Sequence, residues 1–117
     1  MEVVDIEDND LVYRRIAPEF IKPNGELASP VYMRDGRPDD AVSVDLARFT
    51  SSAESAARGP RATGYTLAAI RAGDLRGQGF TVRHDPQPDN PAHALIEGVR
   101  SKADIRRLLA ITTIVSR

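Results

Sequence analysis

The hydrophobic positions of this chain fall into short runs with a period near two until the last fifth of the sequence, where a helical period takes over. Leu11-Val12-Tyr13-Arg14-Arg15-Ile16 concentrates β-forming side chains and is closed by Pro18, which predicts a first strand. Phe20 and Ile21 add an apolar pair. Pro23-Asn24-Gly25 reads as a turn because Asn and Gly tolerate positive φ. Pro30 restarts an expected extended stretch, Val31-Tyr32-Met33, before a second turn at Asp35-Gly36. Val42-Ser43-Val44-Asp45 alternates apolar and polar as a half-buried strand does, and Leu46 and Phe49 lead from it into a short helical segment.

Ser51 or Ser52 can cap a helix over 53–58, which Gly59-Pro60 stops; with no large apolar side chain it is expected to pack shallowly. Tyr65 to Ile70 reads as a strand, and Asp74-Leu75-Arg76 as a helical turn closed by Gly77 and Gly79. Phe80-Thr81-Val82-Arg83-His84 alternates cleanly, and Ala92 to Glu97 is its expected antiparallel mate. Ser101 with Asp104 resembles a capping box, and Ile105, Leu108, Leu109 and Thr112 recur on one helical face. The β-branched tail from Ile111 to Val115 is expected to fray or turn extended. These elements predict an α+β fold: a small antiparallel or mixed sheet built from hairpins, covered by a C-terminal helix and one short helix. Residues 1–10 are expected to form a flexible acidic arm and residues 11–117 a single domain.

With 117 residues, one core is the expectation. Aromatics are sparse and Trp is absent, so that core must rest on Val, Ile, Leu and Ala. The lack of Cys excludes disulfides, thiolate zinc sites and a cysteine nucleophile. The first residues resemble no signal peptide and no apolar run is long enough for a membrane span, so a cytoplasmic location is expected. Net charge is −1, but residues 1–50 hold 11 acids and 6 bases whereas residues 51–117 hold 6 acids and 10 bases. Such an asymmetry can mark a partner surface; attraction between the two halves, or a solvated acidic arm, is the simpler expectation.

The only histidines, His84 and His93, flank a loop stiffened by Pro86, Pro88 and Pro91. A metal site or shared acid–base chemistry would use His84, His93 and Asp85, but nothing supplies a third metal ligand. Strand register bears on this. Pairing residue 84 with 92 sets Val82 against Ala94 and Phe80 against Ile96, a better apolar match than pairing 84 with 93. That register sends His84 to the core face and His93 to the opposite one. The loop is then a recognition surface, formed by Asp85, Gln87, Asp89, Asn90 and His93.

Elsewhere, Arg14 and Arg15 must point to opposite faces of their strand and cannot form one clamp. Arg100, Lys102, Arg106 and Arg107 outline a basic edge that could meet phosphate. Ser43, Ser51 and Ser52 are expected to have no base partner, and Asp39-Asp40 reads as a solvated turn. No phosphate-binding loop motif is present, and no cofactor or metal is expected. Leu11 to Ile16, Val42 to Asp45, and Asp85-Pro86 with Asp89-Asn90-Pro91-Ala92-His93-Ala94 together resemble small uncharacterised bacterial single-domain proteins with a C-terminal Asn-Pro-Ala-His-Ala motif. The resemblance implies a bacterial accessory protein acting with a partner, and no catalytic role. The leading expectation is a non-enzymatic protein-interaction or regulatory module. A small hydrolase or phosphodiesterase using His84 and His93, and a nucleic-acid-binding protein using the basic edge, are the alternatives.

Overall fold

A computed structural model describes residues 2–60 and 64–115, so the expected arm is seen from residue 2 and the domain to residue 115. Its strands are β1 (Leu11–Ile16), β2 (Met33–Arg34), β3 (Arg37–Pro38), β4 (Ala41–Leu46), β5 (Thr66–Arg71), β6 (Thr81–His84), β7 (His93–Glu97) and β8 (Thr113–Ile114). Its helices are α1 (Ser52–Ala57), α2 (Ala72–Gly77) and α3 (Lys102–Ala110). Six strands form one antiparallel sheet in the order β6-β7-β4-β1-β5-β8, and β2 pairs with β3 in a separate ribbon. The chain is therefore α+β, as its patterning predicts.

The connectivity differs from the expected chain of hairpins. Within the large sheet only β6–β7 joins consecutive strands; the central strands β4 and β1 find partners far away in sequence. The β2–β3 ribbon is a hairpin whose central residues, Asp35 and Gly36, have φ of 52° and 77°. Positive φ at both positions matches the twist that a two-residue hairpin needs. Pro30 does not restart an extended stretch. Ser29–Tyr32 form a 3-10 turn, with the proline's fixed φ at its start and the Val31 amide donating to the Ala28 carbonyl.

One face of the sheet carries the main core. Val12, Ile16, Val42, Val44, Leu46, Ala68, Ile70, Val82, Ala94 and Ile96 meet Leu75 of α2 and Ile105 and Leu108 of α3 there. Two aromatics join this aliphatic core, Phe80 and the fully buried Tyr32. The Tyr32 hydroxyl is 2.8 Å from Thr112 Oγ1, and burial pushes its pKa up to about 12. Ser101 Oγ accepts from the Asp104 amide at the start of α3, while the Asp104 carboxylate reaches one residue further back, to the Arg100 amide. The β-branched tail turns extended and pairs with β5 as β8.

The acidic first residues lie against the sheet end. The amides of Ala72 and Gly73 donate to the carbonyls of Asp10 and Asp8, and Ile6 is buried. Arg48 pairs with Asp10, Arg76 with Asp8 at 2.7 Å, and Arg71 donates to Asn9. Charge complementarity within the chain thus consumes part of the acidic excess.

Replacing Leu108 by Ala removes a buried side chain without collapse of the surrounding sheet and should cost about 3 kcal/mol. Tyr32→Phe removes only the hydroxyl bond and should cost about 1 kcal/mol. Urea denaturation of the two variants beside the parent chain measures both, and equal losses would contradict this division of the core.

Candidate functional site

The second face of the sheet brings together Arg15, Ser43, Asp45 and His93. Alternation along β4 places Val42, Val44 and Leu46 in the core, so Ser43 and Asp45 must face the other way. On β1 the same rule sends Arg14 to the core side and Arg15 to this one. Arg14 donates to the Val31 and Ser43 carbonyls, whereas Arg15 reaches Asp45 and the Ser55 carbonyl. Helix α1 covers β1 and β5 on this face, begun by Ser51 and Glu54 in a reciprocal capping box.

Beneath α1 sits a carboxylate that alternation alone would leave in water. Asp45 is only 1% exposed. Its Oδ2 accepts from Ser55 Oγ at 2.6 Å, from Arg58 at 3.1 Å and from Arg15 at 3.2 Å, and its Oδ1 accepts from Asn90 Nδ2 at 2.8 Å. Burial pushes its pKa up, but the Ser55 and Asn90 hydrogen bonds and the Arg15 and Arg58 charges outweigh it, and the net direction is down. One buried carboxylate thus ties together β4, β1, α1 and the proline loop.

Asn90 belongs to that loop, and its side chain works in both directions. While Nδ2 donates to Asp45, Oδ1 accepts from the Ala92 amide. Gln87 and Asn90 exchange backbone hydrogen bonds around Pro88-Asp89, and the Asp85 amide donates to the His93 carbonyl. Gln87 also donates to the Asp85 carboxylate. Pro88, Asp89 and Pro91 are exposed, while Asp85, Gln87, Asn90 and His93 are partly buried. The expected recognition residues do share one loop, but only its tip stands free of the scaffold.

The β6–β7 register pairs His84 with Ala94 and Val82 with Ile96, two residues away from the register that apolar matching favours. Between the 84–94 pair and the 87–90 bridge lie two residues on one side and three on the other, a bulge-like irregularity that hydrophobic matching does not anticipate. A shift of two preserves the faces, so His84 does enter the core side and His93 the opposite side. His84 is buried; its Nδ1 accepts from the Val4 amide at 3.0 Å, its Nε2 lies 2.7 Å from the Pro91 carbonyl, and its ring lies 5.3 Å from the Phe49 ring, tilted by 37°. His93 has a different set of neighbours. Its Nδ1 lies 2.9 Å from the Asp85 carbonyl and 3.2 Å from Asp85 Oδ2, and its Nε2 lies 3.2 Å from Ser43 Oγ. The two rings do not meet at one site.

Contrary to expectation, Ser43 therefore has a base partner, His93. The only sequence signal is its polar position in the alternation of β4, because its partner lies 50 residues away. Asp39 also departs from expectation: it is buried rather than solvated, and its Oδ1 accepts from the Ala41 amide. The basic edge is divided. Arg107 is engaged by Asp104, by the Gln78 carbonyl and by the Phe80 ring. Arg106 lines a cleft beside Lys22 and Leu109, while Arg100 lines a separate cleft of about 650 Å³ with Arg34 and Arg37. Lys102 is exposed in the first turn of α3. Among the described residues no three metal-ligating side chains of the His, Cys, Asp and Glu set come together, and no helix is long and apolar enough to cross a membrane. Set against known proteins, the chain matches no family model, no curated protein and no solved structure.

Because the pKa of Asp45 is lower in the folded chain than in the unfolded one, its stabilisation is complete above the ordinary Asp range and is lost as pH falls through the folded value. Asp45→Ala strands two arginines and Asn90 and should cost about 3 kcal/mol near neutrality. Denaturation midpoints between pH 7 and pH 2 should show a smaller acid-dependent loss in Asp45→Asn than in the parent chain. An unchanged acid profile would remove Asp45 as its source.

Proposed function

We propose that this chain is a recognition module, a small bacterial accessory or regulatory protein that docks another cytoplasmic protein through the tip of its proline loop. The observation that supports this reading most directly is how the loop is held. The Asn90 side chain fastens it to the buried Asp45, the Gln87–Asn90 exchange closes its tip, and His84 holds the Pro91 carbonyl. A loop whose shape is fixed before contact loses little conformational entropy on binding. Pro88 and Asp89 are then presented in a defined geometry, with one exposed carboxylate to select a partner of opposite charge.

A phosphodiester chemistry run jointly by His84 and His93 finds less support, because each ring has its own partners on its own face of the sheet. Nucleic-acid binding along α3 finds less support too, since its basic side chains are spread over two clefts and an internal ion pair.

A photo-crosslinker placed at residue 88 should capture one predominant protein in the native host, and one placed at Thr81 should not. With that protein purified, Asp89→Arg should weaken binding at least tenfold, about 1.4 kcal/mol, at an unchanged melting temperature. Capture that is equal from both positions, or affinity indifferent to Asp89→Arg, would overturn the docking reading.

A further inference from the structure

The contact between Ser43 and His93 has a direction, and that direction has chemical consequences. His93 Nδ1 faces two acceptors, the Asp85 carbonyl at 2.9 Å and Asp85 Oδ2 at 3.2 Å. Only an N–H satisfies that position, so in the neutral ring Nε2 carries the lone pair. The 3.2 Å contact from Nε2 to Ser43 Oγ is then an O–H···N bond, with the serine proton aimed at the base. Four other described hydroxyls are used differently. Ser55 donates to the Asp45 carboxylate, Thr112 to the Leu108 carbonyl, and Ser51 and Ser101 accept capping bonds.

We infer that Ser43 is a base-activated nucleophile that accepts the acyl group of an activated ester or thioester, with His93 as its general base. A serine is a poor nucleophile until a neighbouring base takes its proton, and here the base is in reach and already in the required tautomer. Ser43 and His93 are partly exposed, and the sheet beside them is not sealed: Leu95, directly opposite Ser43, is half-buried, and Arg83 and Thr81 beyond it are exposed. Ser43 lies within β4, an inner strand of the sheet, which holds its Oγ in place against His93 on the adjacent strand.

In the step itself, Ser43 Oγ attacks the carbonyl carbon and its proton passes to His93 Nε2. The imidazolium that forms lies 3.2 Å from the Asp85 carboxylate, which offsets its charge. Collapse of the tetrahedral adduct breaks the bond to the leaving alkoxide or thiolate, which takes the proton from Nε2. Ser43 is left as an ester, and attack by water through the same base releases a carboxylic acid. The arrangement activates the nucleophile rather than the electrophile, so the donors it takes are those whose carbonyl is already activated. This chemistry goes beyond the docking reading and does not depend on Pro88 or Asp89.

A reporter-tagged fluorophosphonate, whose phosphorus takes the place of the carbonyl carbon and whose fluoride leaves, tests the assignment on the full chain. Intact mass and peptide mapping should find one adduct per chain, on Ser43, with Ser51 and Ser52 unlabelled. Ser43→Ala should abolish the adduct, and His93→Ala should slow its formation about 100-fold, the low end of what a general base contributes. Circular dichroism checks that His93→Ala is folded; if it is not, the ratio of Ser43 to Ser52 labelling within the parent chain decides. No adduct on Ser43, labelling spread evenly over exposed hydroxyls, or an unchanged rate in folded His93→Ala would overturn the inference.

Discussion

A carboxylate taken out of water must be repaid with hydrogen bonds and opposite charge, and the polar half of this molecule is arranged around one such group. Asp45 lies in the sheet beneath α1, and the side chains that satisfy it come from β1, from α1 and from the proline loop. None of these segments is adjacent to another in the chain. The desolvation cost of Asp45 is met only when all of them are in place, because a buried charge that loses one partner keeps the cost and forfeits the compensation. Each partner is held in return. Ser55 and Arg58 orient a helix with no large apolar side chain to anchor it, and Asn90 fixes a loop whose three prolines remove backbone donors.

That arrangement connects the stability of the sheet to its functional surface. The main core lies on the other face, where aliphatic side chains of the central strands meet α2 and α3. Burial there leaves the polar face free to carry a network in place of a second hydrophobic layer. Asn90 brings the loop down on Asp45, and the return of the chain into β7 then sets His93 beside Ser43. The two histidines that flank the loop are thereby put to different uses. His84 locks the Pro91 carbonyl and the early residue Val4 from the core side, while His93 looks outward toward a hydroxyl.

Much of the fold was legible because its signals are local. The β-forming run Leu11–Ile16 and the alternation in Val42–Asp45 and Phe80–His84 identify strands, and a serine at 51 or 52 and one at 101 mark helix starts, the first of which the structure assigns to Ser51, since each signal depends on side chains within a few residues. The opposite facing of Arg14 and Arg15, and of His84 and His93, also follows from strand periodicity. The Ser29–Tyr32 turn was not legible, because Pro30 suits an extended stretch and a helical start equally well. The β6–β7 register was missed by two residues because the loop contains an irregularity that apolar matching does not encode.

The candidate site divides along the same line. The residue types were visible: a lone serine and an aspartate in β4, and an Asn-Pro-Ala-His segment after a rigid loop. By itself the sequence determined the main strands and helices and the opposite facing of neighbouring side chains along a strand, because the period of two is a property of the backbone. Only the tertiary structure decided that Asp45 would be buried, that Asn90 would reach it, and that Ser43 would meet His93 across 50 residues of chain. Pairing between distant strands brings those groups together, and that pairing is selected by the summed burial of the whole sheet rather than by any signal within one strand.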